Sequence, residues 1–229
     1  VSMQFVMLVF ALITAFMVGN NALVSRYIGA QDPKSASRVV FNLSLCAILV
    51  ATLLAWLSWD WVDDFYGFMG VAGTASELGE GYLHIIMLAF PFLFVKAIFV
   101  SSLAASGDTK TPFKIKIVGS LLNVTLNYLL IFGKFGFPEL GVEGAAISSF
   151  FVHLFESLVL FWVLLTKKSN VHLVPRIDFG LIRRALNVGL PTALERLLTF
   201  SSMVLFTKFI AVYGTEALAG YQVGLRLEG

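Results

Sequence analysis

The chain has 229 residues, of which 58% are hydrophobic and 13% charged, and its mean hydropathy is +0.87. A water-soluble domain sits nearer half apolar and a quarter charged because much of its surface stays wet, so this excess calls for a bilayer. A net charge of +2 with no basic run gives nucleic acid no footing, and the lone Cys46 excludes a disulfide framework.

A spanning helix needs about 20 mostly apolar residues. Six such runs follow in chain order, at 3–23, 41–59, 83–105, 117–132, 144–165 and 189–212, and a seventh opens near Ala217. The expected fold is all-α: a polytopic membrane bundle of six full spans and a truncated seventh. The fourth run is short and is expected to borrow residues 133–137. The loops alternate in charge. Arg26, Lys34 and Arg38 follow the first run, Lys110, Lys114 and Lys116 the third, and Lys167, Lys168, Arg176, Arg183 and Arg184 the fifth. The loop after the second run is acidic (Asp60, Asp63, Asp64, Glu77, Glu80), and the loop after the fourth carries only Lys134. The positive-inside rule places the basic loops in the cytoplasm. Trp56, Trp59 and Trp61 then form an interfacial belt at the outer end of the second run. The first run starts outside, so one preceding helix is the simplest count. The opening Val is expected to mark an internal stretch of a longer protein.

Residues 177–188 read IDFGLIRRALNV, with apolar positions at helical spacing. They predict a short helix lying in the cytoplasmic interface.

Polar residues inside a span are costly and face a cavity or a partner helix. Asn123 and Asn127 share one face of the fourth run; their amides can coordinate a small cation or glue helices together. Ser149, His153 and Glu156 share a face of the fifth, where imidazole and carboxyl can relay a proton or satisfy one another. Thr192, Glu195, Thr199 and Ser202 form the longest polar face, in the sixth run. Glu195 there is a candidate carrier of a proton or cation. Lys96, in the third run, is expected to snorkel or to pair with Glu156 or Glu195. Phe151, Phe155 and Phe200 are candidate cavity aromatics.

Pro91 and Pro191 remove helix hydrogen bonds and mark candidate hinges. The small residues at 104–107 and 144–146 permit close helix approach. No phosphate-binding loop, metal-ligand spacing or nucleophile–histidine pair is present, so no enzyme is expected.

Several stretches in order resemble the multidrug and toxic compound extrusion (MATE) family: SRYIGAQD at 25–32, LAASGDTKTP at 103–112, NVTLNY at 123–128, GVEGAA at 141–146, GLP at 189–191 and QVGLR at 222–226. The resemblance implies a two-lobe, twelve-helix transporter, of which this chain would supply helices two to seven and the start of eight. Residues 1–170 would be the first lobe without its first helix, 171–188 an inter-lobe linker with its interfacial helix, and 189–229 the start of the second lobe. It implies export of organic cations or amphipathic drugs by alternating access, in exchange for H⁺ or Na⁺, with no other cofactor.

The implied setting is a bacterial or archaeal inner membrane, with lipid and drug as partners and a monomer when full length. Asn123 and Asn127 match the family's cation-binding pair, with Asn127 in place of an acid, so Na⁺ is possible there once a residue beyond this sequence supplies charge. Ser149, or Ser148, matches the accompanying hydroxyl. Glu195 lies on the helix that carries an essential Glu in other branches. Gly107 and Asp108 would form a packing corner, with Asp108 or Thr109 capping the next helix. Two other functions fit a bundle of this kind: a lipid-linked saccharide flippase, which wants a strongly basic cavity, and a scaffold that transports nothing.

Overall fold

The computed structural model describes residues 2–59, 61–62, 74–166 and 170–211. Six α-helices follow one another there: α1 (Ser2–Gly29), α2 (Pro33–Ser58), α3 (Thr74–Ala105), α4 (Lys110–Phe132), α5 (Gly141–Leu165) and α6 (Phe179–Ala211). A 3-10 turn, Lys134–Gly136, follows α4. The expected all-α bundle forms, with no strand among the described residues. Five helices are long and apolar enough to cross a membrane: α1 over Val9–Gly29, α2, α3 over Gly79–Ala105, α4 and α5. The sixth run is helical, but α6 carries Arg183, Arg184, Glu195 and Arg196 and is not one of the five. The seventh run, QVGLR, Asp60, Asp63, Asp64, Lys167 and Lys168 lie outside the described residues, as do the side chains of Glu77 and Lys208.

Helix α3 is the hub. It packs against α1, α2 and α5, with α4 leaning on α5 and α6 running along α1. Leu43, Leu83, Met87, Phe90, Phe94, Ile98 and Leu103 fill the centre and are fully buried. Lipid tails are as apolar as these side chains, so helix association relies on close packing rather than on the hydrophobic effect. Two glycines make the α1–α6 crossing close. A Cβ on Gly19 would overlap the Ala185 carbonyl, and one on Gly189 would overlap the Ala15 carbonyl. Close approach also occurs at Gly144, where a Cβ would lie 2.7 Å from the Leu130 carbonyl oxygen. Gly107 has open space around it instead; its φ of +94° is what requires glycine.

The α1–α2 and α3–α4 corners share one construction. Gln31 (φ 57°) and Gly107 (φ 94°) take the left-handed conformation just past their helices. The N–H of the following Asp reaches back across the last turn, from Asp32 to Tyr27 O (2.9 Å) and from Asp108 to Leu103 O (2.9 Å). The same Asp then caps the next helix: Asp32 Oδ1 accepts from Ser35 N–H and Asp108 Oδ1 from Thr111 N–H, both at 3.0 Å. Asp108 is therefore the cap of α4, and Thr109 makes no side-chain cap bond. The hydrogen bonds with Ser35 hold the Asp32 carboxyl below its usual range.

Residues 170–178 cross both corners. Asn170 Nδ2 donates to Ser106 O (3.3 Å) and the His172 N–H to Ser37 Oγ (3.1 Å). Asn42 grips the segment twice: its Nδ2 donates to Arg176 O (2.7 Å) and its Oδ1 accepts from Asp178 N–H (2.7 Å). The basic loops thus share one end of the bundle. At the other end His84 stacks on Trp59 with ring centroids 4.5 Å apart, and Trp56, Trp59 and Trp61 are exposed.

Two expectations need correction. The fourth run gains its length at its start, Lys110 to Lys116, and not from 133–137, because Gly133 turns left-handed and ends α4. Residues 177–188 form no separate interfacial helix. Asp178 Oδ1 accepts from the Gly180 N–H (2.9 Å), and the helix begun there runs on through Pro191 to Ala211. Leu181 and Ala185 are buried, with Ala185 against Gly19 of α1, so this face meets a helix and not headgroups. Pro91 and Pro191 both sit inside uninterrupted helices, and α3 continues through Pro91. Neighbouring helices satisfy freed backbone groups in such places.

Candidate functional site

The chemistry concentrates where α3, α4 and α5 meet. Glu156 of α5 is fully buried, and it is the buried carboxylate among the described residues. Its Oε2 accepts from Lys96 Nζ of α3 at 2.7 Å, and its Oε1 lies 3.7 Å from Lys116 Nζ of α4. Lys96 Nζ also lies 2.9 Å from His153 Nδ1. An ammonium only donates, so Nδ1 accepts and the neutral ring carries its proton on Nε2. Lys96 stands nine residues before the end of α3 at Ala105, about 14 Å along the helix. That depth favours pairing over snorkelling. Of its three expected fates, the structure selects the pair with Glu156. Glu195 is out of reach, because among the described residues α6 makes no contact with α3, α4 or α5.

Gly119 makes room for the carboxylate. A Cβ there would overlap Glu156 Oε1, so α4 can lie against Glu156 only because residue 119 has no side chain. Oε1 itself is buried with no hydrogen-bond partner. The three ionic side chains are unequally covered: Glu156 is 2% exposed, Lys96 14% and Lys116 64%. With His153 and Thr14 they line a cavity of about 540 Å³ whose other walls are apolar, including Phe10, Met17, Leu93 and Phe113. None of Phe151, Phe155 and Phe200 borders it.

A second polar cluster lies further along the same face of α4. Ser148 Oγ donates to Asn127 Oδ1, and Asn127 Nδ2 donates to Asn123 Oδ1 at 3.1 Å. The two amides meet as their spacing predicts. The hydroxyl that reaches them is Ser148; Ser149 Oγ donates to its own helix at Ala145 O (2.9 Å). Because α4 begins early, Asn127 sits five residues before its end at Phe132 and not at mid-span. Asn123, Ser149, His153 and Lys116 border a smaller cavity of about 340 Å³. Both carboxamide oxygens are already engaged, and the charged wall residue is a lysine. Among the described residues, that wall holds no carboxylate to balance Na⁺. No cluster of three or more His, Cys, Asp or Glu suited to a metal occurs among them either.

Glu195 is exposed on α6, as are Thr199 and Ser202, with Thr192 half-buried. Thr199 Oγ1 donates to Glu195 O (2.9 Å), an ordinary in-helix bond. Sequence reasoning passed over Gly119, Lys116 and Asn20. Lys116 read as a loop lysine, yet it is in the second turn of α4. Positions 116, 120, 123 and 127 share one helical face, which could have flagged it. Asn20 of α1 is fully buried; its Nδ2 donates to Ser101 Oγ (2.7 Å) and Ser102 Oγ (2.8 Å) of α3. An Asn in an apolar run was its only signal.

Comparison with known proteins agrees with this architecture. The family model described as MatE matches residues 1–129. A Thermotoga maritima protein named "Probable multidrug resistance protein NorM" is 29% identical over 218 residues, covering 93% of this chain and 47% of that protein. The outward-facing conformation of a multidrug resistance MATE family transporter of the MOP superfamily superposes with a TM-score of 0.89. It is 21% identical, and the match covers 99% of this chain and 51% of that one. The inward-facing conformation so described superposes at 0.81, with 22% identity over 97% of this chain and 51% of that one. The chain spans about half the length of the curated relatives it matches. With the family model matched over more than half of its residues and five helices long and apolar enough to cross a membrane among the described residues, the chain belongs to the MatE family, as a multi-pass integral membrane protein.

Proposed function

We propose that this chain is part of an alternating-access exporter of amphipathic small molecules, driven by an inward gradient of H⁺ or Na⁺. Residues 1–170 belong to its first lobe, 171–188 lead to the second, and 189–229 begin it. The observation that carries this reading is the Lys96–Glu156–Lys116 cluster, a buried carboxylate between two ammoniums on the wall of a cavity among spanning helices. Intramembrane charges of this kind mark ion and substrate paths. Support comes also from the relative named for multidrug resistance and from the outward- and inward-facing forms of a transporter with this fold.

Glu156 joins three helices through one carboxylate. Protonating it removes the attraction that holds Lys96 of α3 and Lys116 of α4 to α5. His153, beside Lys96, is placed to pass that proton. Loading a proton thereby loosens α4 from its neighbours, which couples ion movement to helix movement. Asn123, Asn127 and Ser149 lie further along α4 and α5, where the two amides would have to release their present hydrogen bonds to take a cation, and Glu195 on α6 is a second exchanging acid.

The test is dye movement in everted vesicles holding the full-length protein. Ethidium and an anionic dye are each followed with a pH gradient alone and with a Na⁺ gradient alone. Gradient-driven movement of either dye supports an exporter and identifies the ion. No movement under either gradient, with protein shown to be folded, overturns the reading in favour of a flippase or a scaffold.

A further inference from the structure

We propose that the cavity between α1, α3, α4 and α5 binds an amphipathic organic anion: an apolar, aromatic-sized body bearing a sulfonate, phosphonate or carboxylate. The inference rests on the transport reading and names the substrate class at that site. Ionic side chains and apolar walls argue it together.

Three charged side chains line the cavity, two lysines and one glutamate. Among the described residues one positive charge is left over. The glutamate is also the one that a ligand cannot reach. Its Oε2 is taken by Lys96, and its Oε1 is buried against Gly119. The lysines keep unused hydrogens. Lys96 Nζ spends two of its three on Glu156 and His153. Lys116 Nζ has only the long 3.7 Å contact and a side chain 64% exposed, so it is free to swing onto a guest. His153, with Nδ1 accepting, presents its Nε2–H as a further donor.

The polar edge of the cavity is therefore almost all donors. Thr14, also on the wall, gives its hydroxyl hydrogen to Phe10 O and leaves only a neutral oxygen. An ammonium entering here would meet two like charges and one weak acceptor. A sulfonate or carboxylate would meet three charged or polar donors and displace nothing buried. The rest of the wall, with Phe10, Met17, Leu93 and Phe113, suits an apolar body, and about 540 Å³ is within the range of small-molecule sites.

The experiment uses the full-length protein in lipid nanodiscs, titrated calorimetrically with naphthalene-2-sulfonate and with 2-naphthylmethylammonium. Empty nanodiscs correct for partition into lipid. The two probes share a ring system and differ in charge. The sulfonate is expected to bind saturably and at least about tenfold more tightly than the ammonium. Lys116→Gln should weaken the sulfonate by about five- to tenfold, and Lys116→Arg should retain it. Lys116 is chosen because its exposure makes the substitution tolerable, whereas replacing Lys96 strands a buried carboxylate.

Equal or tighter binding of the ammonium, no saturable binding of either probe, or sulfonate binding indifferent to Lys116→Gln would each overturn the anion site. The vesicle assay is independent of this one. Dye movement without Lys116-dependent sulfonate binding removes only the anion site. Lys116-dependent binding without any dye movement keeps the site and removes the exporter.

Discussion

The α4 face that meets α5 carries two polar clusters of opposite character. Toward its start, Lys116 and Gly119 address the carboxylate of Glu156, which needs a third helix, α3, to supply Lys96. Toward its end, Asn123 and Asn127 satisfy each other and take one hydrogen from Ser148. The charged cluster therefore binds three helices and leaves one oxygen without a hydrogen bond. The neutral one binds two helices and leaves both carboxamide oxygens engaged. A buried charge cannot be left to its own helix, because its desolvation cost is offset only by a counterion and further hydrogen bonds. Amides can close locally. In the proposed mechanism the first arrangement responds to a proton, while the second holds helices in place.

Breaking the ionic cluster should have the largest effect. Lys96→Met or Glu156→Gln alone each strands a group built for a charged partner. Each should lower stability by about 3–5 kcal/mol. The double variant Lys96→Met/Glu156→Leu should recover much of that loss, since a well-packed apolar pair can replace a buried ion pair. Thermal unfolding of the full-length protein in detergent reads both. A double variant no better than the singles would argue against the pair as the linking element.

Gly119→Ala comes next. The added Cβ must displace the Glu156 carboxylate or push α4 off α5, a strain of about 1–3 kcal/mol. The same unfolding assay measures it, and it should disturb dye movement more than its loss of stability explains.

Ser148→Ala probes the neutral cluster. Asn127 Oδ1 loses its donor, which should cost about 1 kcal/mol, in keeping with hydrogen bonds between membrane helices. A loss as large as that of Lys96→Met would erase the distinction between the two clusters.

The smallest effect lies away from both, at the α1–α2 corner. The Asp32 carboxyl titrates below its ordinary value, chiefly through its hydrogen bonds with Ser35. A lowered folded value means that its contribution is fully present above the unfolded value. It fades as pH falls through the folded one. Asp32→Asn should therefore lower stability slightly at neutral pH and flatten the acid limb of the unfolding profile, the two proteins converging as pH falls.

Much of the bundle was legible because hydropathy and loop charge are local properties. The runs, the shared basic end and the Asp108 cap all follow from residues near one another in sequence. The amide pair was legible for the same reason, since four residues of helix bring Asn123 beneath Asn127. The ionic cluster was legible only in part: pairing with Glu156 was one of three fates open to Lys96, and Lys116 read as a loop residue. Lys96 and Glu156 are 60 positions apart, and their meeting depends on α3 packing on α5. Gly119 was invisible too, because its contribution is the absence of atoms. The continuity of α6 was obscured by Pro191 and by Arg183 and Arg184. Both signals argue for a boundary when read alone. The glycine crossings at Gly19 and Gly189 decide otherwise, by giving that stretch a helix to lie on.

Asn42 gives the connection between α5 and α6 a mechanical character. By donating to Arg176 O and accepting from Asp178 N–H, it treats two peptide groups of an irregular segment as a neighbouring strand would. Residues 170–178 are thereby pinned to α2 just before α6 begins. A tether with no such bonds would let α6 tilt freely. Here a tilt of α6 must either drag α2 along or shear two short hydrogen bonds at once. The segment transmits force like a strut and does not absorb it like a slack rope.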